Sequence, residues 1–169
     1  MAISKAERAF PSPEHDHGSC LANTLARAQT AFEVHALKLT PLRRRVFEEI
    51  ASSHDAVGAY VLLERLAKKG GRLAPISVYR ALDALLEAGV VHRLETRNAF
   101  FACHGRHDAA RRQLYLVCQD CHAVAEVDAE STFLHIDDAA KAEGFQRNSA
   151  VVEVTGRCAH CAIATAGKD

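Results

Sequence analysis

Apolar positions recur at the spacing of an α-helix in four segments of the first half of the chain. The predicted helices cover Leu21–Leu37, Pro41–Ser52, Tyr60–Lys69 and Pro75–Gly89. Thr40 followed by Pro41 favours a helix start, because threonine caps a helix and proline fits its first turn. The Gly70-Gly71 pair favours the end of the third helix. A long helix followed by three short helices with brief turns is typical of a helix-turn-helix arrangement.

Short β-prone segments follow the last of these helices. VVHRL at 90–94 and AFFAC at 99–103 predict a hairpin, and a helix-turn-helix followed by a hairpin is a winged helix. Farther along, we expect strands at 114–118, 123–128 and 150–155 and a helix over Ser131–Glu143. The expected fold class is therefore α+β, with an N-terminal winged helix-turn-helix domain and a C-terminal α/β domain.

Four parts of the chain are expected from this order of elements. They are a flexible leader at 1–19, a winged-helix domain at 20–103, a hinge at 104–111 and a C-terminal domain at 112–169.

Lys+Arg (21) equals Asp+Glu (21) overall, yet basic residues outnumber acidic ones from Lys38 to Arg97 and the reverse holds from Arg112 to Asp169. An excess of positive charge suits a polyanionic partner, which favours the first domain as the one that binds nucleic acid.

The composition is typical of a soluble globular protein, with 169 residues of which 49% are hydrophobic and 25% charged. This length fits one ordinary domain or two small ones and excludes a large multidomain enzyme. No apolar run approaches the roughly 20 residues of a membrane helix, and the first residues lack the apolar core of a signal peptide. We expect a cytoplasmic protein with no membrane partner. In a reducing compartment, six cysteines favour metal ligands or catalytic groups over disulfides.

Two C-x2-C pairs carry the strongest chemical signal in the sequence. Cys118 and Cys121 form the first pair, and Cys158 and Cys161 form the second. Two intervening residues let both thiolates of a pair reach one cation, and four thiolates make a closed tetrahedral zinc site. A redox motif of the thioredoxin type would be single and would open a helix of a βαβ unit. We predict a structural zinc ion that contributes folding energy to the small C-terminal domain.

A second set of metal-binding residue types lies around the hinge. His92 and Cys103 occupy the two strands of the predicted hairpin, His104 and His107 lie in the hinge, and Glu126 lies on the strand after the first cysteine pair. A mixed set of sulfur, nitrogen and oxygen donors suits Zn²⁺, and an ion bound from both sides of a hinge would hold two domains in a fixed relation. His107 is favoured over His104, because successive strand residues point to opposite faces and His104 directly follows Cys103.

The run PISVYRALDALLEAGVVHRLETRNAFFAC, followed by CQDCHAVAEVD and VVEVTGRCAHC, resembles the ferric uptake regulator family of bacterial metal-dependent repressors, most closely its zinc uptake regulator branch. The similarity extends from about Leu21 to Cys161. The resemblance implies a winged helix joined by a hinge to a dimerisation domain, so that 112–169 is expected to form the dimerisation and metal-binding domain. Where relatives of equal spacing place a further sensing histidine, this chain has Arg111, so His107 or His104 must substitute.

The resemblance also implies the roles of individual residues. Of the metal ligands, it matches the four cysteines of the two pairs to a structural zinc site, and His92, Cys103 and Glu126 to a regulatory zinc site at the hinge. It matches Tyr60 and Arg80 to residues that contact DNA.

In the expected reading helix, Ser77, Tyr79 and Arg80 occupy the first turns, the part that enters the major groove. An equally weighted alternative packs Tyr79 on the wing. The run Arg43-Arg44-Arg45 is expected near the phosphate backbone, where it would add sequence-independent affinity, and its plainer interpretation is a solvated helix face.

The function implied is that of a zinc-responsive repressor, not an enzyme, that binds palindromic operator DNA as a homodimer and controls zinc-uptake genes. Two zinc ions per subunit and no small-molecule substrate are expected. Two alternatives stay open: an iron- or peroxide-responsive member of the same family, against which Cys103 argues as a soft ligand, and a zinc-ribbon module that binds protein. A zinc deaminase is disfavoured, because its H-x-E and P-C-x-x-C patterns do not occur in the sequence.

Overall fold

The computed structural model describes Phe10 and residues 16–71, 73–103 and 112–166. The chain forms two compact units, one made of Pro11–His104 and the other of Met1–Phe10 with Gly105–Asp169. We call them the winged-helix unit and the C-terminal unit. Each has its own sheet of three strands. The expectation of an α+β fold is confirmed by this mixture of helices and sheets.

Four helices build most of the winged-helix unit. They are α1 (His17–Val34), α2 (Pro41–Ala51), α3 (Ala59–Gly70) and α4 (Pro75–Glu87). The start of α2 lies where the sequence predicted it, with the Thr40 side chain accepting from the N–H of Arg43 at 3.4 Å. Helix α1 begins four residues earlier than predicted, because the Asp16 carboxylate accepts from the N–H groups of Gly18 and Ser19 and caps the helix there.

The sheet of this unit is antiparallel and packs against the helices. Its strands are β1 (Val57–Gly58), β2 (Val91–Leu94) and β3 (Ala99–Ala102), in the order β1-β3-β2. The predicted hairpin is therefore present, whereas the two-residue β1 was not predicted. Large side chains with almost no exposed surface fill the space between helices and sheet, among them Phe32, Phe47, Ile50, Leu62, Leu82 and Leu85.

The C-terminal unit contains β4 (Gln113–Cys118), β5 (Val124–Asp128), α5 (Glu130–Ala142), β6 (Val152–Gly156) and α6 (Ala159–Ala166). Its strand order is β5-β4-β6, with β4 antiparallel to β5 and parallel to β6. Parallel neighbours need a long crossover, which here includes α5. The short helix α6 was not predicted. Few large apolar side chains are buried in the described part of this unit, chiefly Val117, Val124 and Phe133.

A charged cluster connects α5 to the residue before β4 and to the segment between α5 and β6. Asp137 accepts from Arg147 at 2.6 Å and lies 2.7 Å from the guanidinium of Arg112. Arg147 also lies over the ring of Phe133, 6.0 Å from its centre. The hydrogen bond from Arg147, reinforced by the charge of Arg112, holds the pKa of Asp137 below its usual value.

No helix of the described residues is long and apolar enough to cross a membrane.

Candidate metal and DNA-binding sites

Four cysteines meet at one end of the sheet of the C-terminal unit. Cys118 is the last residue of β4, and its N–H donates to the carbonyl of Ala123 across the turn at 3.0 Å. The parallel register pairs Cys118 with Gly156 at the end of β6, so that Cys158 follows beside it. The N–H of Cys158 donates to Sγ of Cys118 at 3.4 Å. The pairing of β4 with β6 therefore brings the second cysteine pair to the first.

The geometry of these sulfurs fits a zinc ion. The ligand atoms of Cys118, Cys121, Cys158 and Cys161 all lie within 4.8 Å of one another, and the sulfurs of Cys121 and Cys158 are 3.8 Å apart. Four sulfurs bonded at about 2.3 Å to one ion are about 3.8 Å apart along the edges of a tetrahedron, whereas a disulfide brings two sulfurs to about 2.05 Å. Cys118 and Cys158 are buried, whereas Cys161 is half-buried and Cys121 is exposed.

The thiols differ in how readily they ionise. Burial disfavours the thiolate of Cys118, but N–H groups of Cys121, Cys158 and Asp120 donate to the sulfur and together hold its pKa at about 6. Contact with Cys158, followed by burial, raises the pKa of Cys161 to about 12. Because zinc binds thiolates, Cys118 offers a charged ligand at neutral pH, and the cation itself favours ionisation of the others.

His92 and Cys103 are neighbours on one face of the sheet in the winged-helix unit. The register of β2 and β3 places His92 opposite Phe101, with ring centres 5.5 Å apart. The N–H of Cys103 donates to the carbonyl of Val90 at 3.0 Å, which continues the same register. Residues two apart on a strand share a face, so Cys103 lies diagonally across from His92. Their ligand atoms lie within 4.8 Å of each other, which places a nitrogen and a sulfur donor side by side.

The other residues predicted for a regulatory site belong to other segments of the chain. Glu126 is the third residue of β5 in the C-terminal unit, where it pairs with Tyr115. His104 and His107 lie outside the described residues. That Glu126 and His107 join His92 and Cys103 in one metal site stays a prediction.

The exposed face of α4 changes character along the helix. In its first two turns, Ile76, Tyr79 and Arg80 are exposed, with 61% of the surface of Ile76 and 45% of that of Tyr79 open to solvent. Asp83 and Glu87 are exposed on the following turns. A negatively charged partner is therefore favoured at the start of the helix and repelled farther along it.

The other predicted DNA contacts also lie at helix starts. Tyr60 is in the first turn of α3 with 79% of its surface exposed, and Ser77 is half-buried in the first turn of α4. Sequence reasoning assigned no role to Ile76, which lies off the buried stripe of α4. The structure draws attention to it, because a large apolar residue is exposed beside Arg80.

The arginine run on α2 has partners within its own unit. Arg45 donates to the carbonyls of Leu66 at 2.5 Å and Gly70 at 3.4 Å, at the C-terminal end of α3. Arg43 donates to the carbonyl of Lys38 at 2.6 Å. The structural role of Arg45 was missed, because a contact to a neighbouring helix has no signature in the sequence of α2.

Comparison with known proteins gives consistent matches. The profile of the Ferric uptake regulator family matches residues 35–155. The Zinc uptake regulation protein of Escherichia coli (strain K12) is 34% identical over 137 residues, which cover 81% of this chain and 80% of that protein. The solved structure "Zinc Uptake Regulator Complexed With Zinc AND DNA" aligns with a TM-score of 0.79 and 33% identity over 86% of this chain and 97% of its own. The crystal structure of holo XcZur aligns with a TM-score of 0.74 and 38% identity, over 85% of this chain and 99% of that chain.

Proposed function

Because the chain belongs to the Ferric uptake regulator family, we propose that it is a zinc-responsive transcriptional repressor, which binds operator DNA as a homodimer in the cytoplasm and controls zinc-uptake genes. Similarity to a zinc uptake regulator solved with zinc and DNA supports this proposal and favours a regulator over an enzyme. The observation that carries the sensing role is the His92 and Cys103 pair, which places two zinc-type donors on the hairpin directly after the reading helix.

We assign a separate task to each part of the chain. Residues 20–103 bind DNA, 104–111 form the hinge, and 112–169 dimerise and hold the structural metal. The exposed apolar side chains of the C-terminal unit support the dimerisation role, since a second copy of the chain would bury them. They include Leu134, Phe145, Val151, Val154 and Ile163.

Two metal sites per subunit follow from the ligand types. Cys118, Cys121, Cys158 and Cys161 hold the structural zinc ion, and His92, Cys103, His107 and Glu126 hold the regulatory one. A thiolate among these regulatory ligands favours zinc over iron as the sensed metal.

The DNA contacts are assigned to the starts of two helices. Arg80 donates to the major-groove edge of guanine, where a bidentate pair contributes about 1–3 kcal/mol of discrimination. Ser77 and Tyr79 contact the same groove, and Tyr60 contacts the backbone or a thymine methyl. The acidic residues Asp83 and Glu87 limit the contact to the first two turns of α4.

Control of DNA binding lies in the hinge. Two reading helices of a dimer reach half-sites about one helical turn apart only if their separation and angle are set. Zinc bound by ligands from both sides of the hinge supplies that constraint. His92 and Cys103 contribute the ligands of the DNA-binding side, and Glu126 contributes that of the dimerising side. A tenfold gain in affinity needs only about 1.4 kcal/mol of preference for the binding-competent arrangement.

The test is the substitution Cys103→Ser. The zinc content of the variant and its affinity for a palindromic operator, measured by gel shift at fixed free zinc, are compared with those of the wild type. We expect the variant to keep one zinc ion per subunit instead of two and to lose at least tenfold in operator affinity, because a hydroxyl is a poor zinc ligand at neutral pH. The matched control is Cys20→Ser, which changes the only cysteine outside the two proposed sites. Two zinc ions and unchanged affinity in Cys103→Ser would refute the regulatory site.

The same assay separates the alternatives. Wild-type protein that binds duplex DNA with a steep dependence on salt supports a repressor, whereas a zinc-ribbon module that binds protein would show none. A response to iron at concentrations where zinc has no effect would favour the iron-sensing alternative.

A further inference from the structure

The first turn of α4, the proposed reading helix, carries an exposed apolar side chain that does not pack in the core. Ile76 is the second residue of α4, and 61% of its surface is exposed. The buried residues of that helix are Val78, Ala81, Leu82, Ala84 and Leu85, which belong to the core cluster, whereas Ile76 belongs to the opposite face. A β-branched residue in the open is also a weaker helix former than alanine, so local stability does not call for it.

Ile76 shares its face with the predicted DNA contacts. Tyr79 and Arg80 follow it by three and four residues, the spacing at which side chains of a helix are neighbours about 5–6 Å apart. Both are exposed, and the acidic residues of the exposed face begin only at Asp83. The surroundings of Ile76 are thus aromatic and basic, which suits DNA, and a single apolar side chain among polar ones is too small an area to anchor a protein partner.

We propose that Ile76 is a specificity-determining residue that contacts the C5-methyl group of a thymine in the operator, an assignment that rests on the proposed function. Among the features of base pairs in the major groove, this methyl is the apolar one, and aliphatic side chains contact it. Successive bases of one strand are about 3.4 Å apart, so side chains about 5–6 Å apart reach bases one or two steps from each other. The thymine therefore lies within two base pairs of the guanine that Arg80 contacts.

The size of the expected loss of operator affinity follows from the free energy of transferring one methyl group out of water. Deoxyuridine differs from thymidine only by that methyl, so replacing the contacted thymine by uracil removes the contact and leaves the hydrogen-bonding groups unchanged. We expect about a fourfold loss of affinity per half-site, which equals about 0.8 kcal/mol. In Ile76→Ala, the thymine operator loses a similar factor and the uracil operator loses nothing further.

The experiment uses full-length, zinc-loaded protein and an operator that the wild type selects from random duplexes. Each thymine is replaced in turn by uracil, and the dissociation constants of the wild type, Ile76→Ala and the control Val34→Ala are measured. Val34 is an apolar residue at the end of α1 with 77% of its surface exposed, so its exchange tests the loss of an exposed side chain away from α4. The proposal requires a position near the guanine at which the wild type and Val34→Ala discriminate about fourfold and Ile76→Ala does not.

Two results would overturn it. One is a wild type that binds its operator with zinc yet tolerates uracil at every thymine, and the other is a sensitive position that stays equally sensitive in Ile76→Ala, which assigns the methyl to another side chain such as Tyr60. Both leave the proposed repressor function standing. If the zinc-loaded wild type selects no duplex at all, the proposed function itself fails.

Discussion

Glu49 is a carboxylate on α2 with only 5% of its surface exposed, and Nζ of Lys69 lies 2.7 Å from it. Removing the partner of a buried charge is more costly than removing the charge, because the remaining ion stays desolvated. The Lys69 side chain is 64% exposed, so solvent screens part of the effect. We therefore expect Lys69→Met to lower the free energy of unfolding by roughly 1–2 kcal/mol in urea titrations of the zinc-loaded protein.

The double variant tells this electrostatic effect from a loss of packing. Glu49→Gln combined with Lys69→Met removes both charges, so we expect it to be more stable than Lys69→Met alone. If the double variant is as unstable as the sum of the two single variants, the pair contributes nothing through its charges.

At single residues, the sequence predicted what depends on short spacing. The two C-x2-C pairs are visible because each knuckle is local, yet their meeting depends on the parallel register of β4 and β6, which no local pattern records. His92 and Cys103 follow from a predicted hairpin, since the register across a short turn fixes which side chains are neighbours. The roles of Ile76 and Arg45 were not predictable, because exposure on a finished surface and contact with another helix arise only from the tertiary fold.

Among whole elements, α2 and α3 are connected by the side chain of Arg45 in addition to their shared apolar core and the Glu49–Lys69 pair. Arg45 donates to the carbonyls of Leu66 and Gly70 at the C-terminal end of α3. The carbonyl of Gly70 is one of the last four of the helix, which lack a partner within it. Among the described residues, its neighbour Arg44 forms an exposed pair with Glu48 at 2.8 Å. We expect Arg45→Ala to lower the free energy of unfolding by about 1.5–2 kcal/mol and Arg44→Ala by less than about 0.5 kcal/mol in urea titrations.

DNA titrations with the same two variants test the other interpretation of the arginine run. If both side chains contact phosphates, each exchange lowers operator affinity and the salt slope by similar amounts. If Arg45 serves α3 alone, its exchange changes stability and leaves the salt slope unchanged. Equal stability of the two variants would contradict the capping role.

Helix starts were predicted well where a cap and an apolar stripe coincide. Thr40 and Pro41 meet that condition, and α2 begins there. For α1, the apolar stripe alone suggested Leu21, although Asp16 caps the helix earlier. Helix α6 is short and starts inside the second cysteine pair, so its apolar positions gave no period to recognise.

The two units of the whole molecule differ in the size of their apolar cores. The winged-helix unit has a large apolar core, whereas the described part of the C-terminal unit buries few large side chains. We therefore expect the C-terminal unit to depend on a zinc ion held by the four cysteines that lie at the ends of β4 and β6 and in α6. A structural zinc ion binds with an apparent free energy of about 10–16 kcal/mol in small domains, which becomes folding free energy. Removal of the structural metal should therefore unfold one unit and spare the other.

Hydrogen exchange of Cys121→Ser, read by mass spectrometry, measures both units in one sample. We expect amides of 113–118 and 152–156 to exchange at least a hundredfold faster than in the wild type, because three sulfurs no longer close the tetrahedron. Amides of α2 and α4 should keep their protection, since their core contains no metal ligand. A strong chelator applied to the wild type should reproduce this pattern. Equal loss of protection in α2 would mean that the winged-helix core depends on the zinc ion as well, and unchanged exchange in 113–118 would mean that the sheet holds β4 without it.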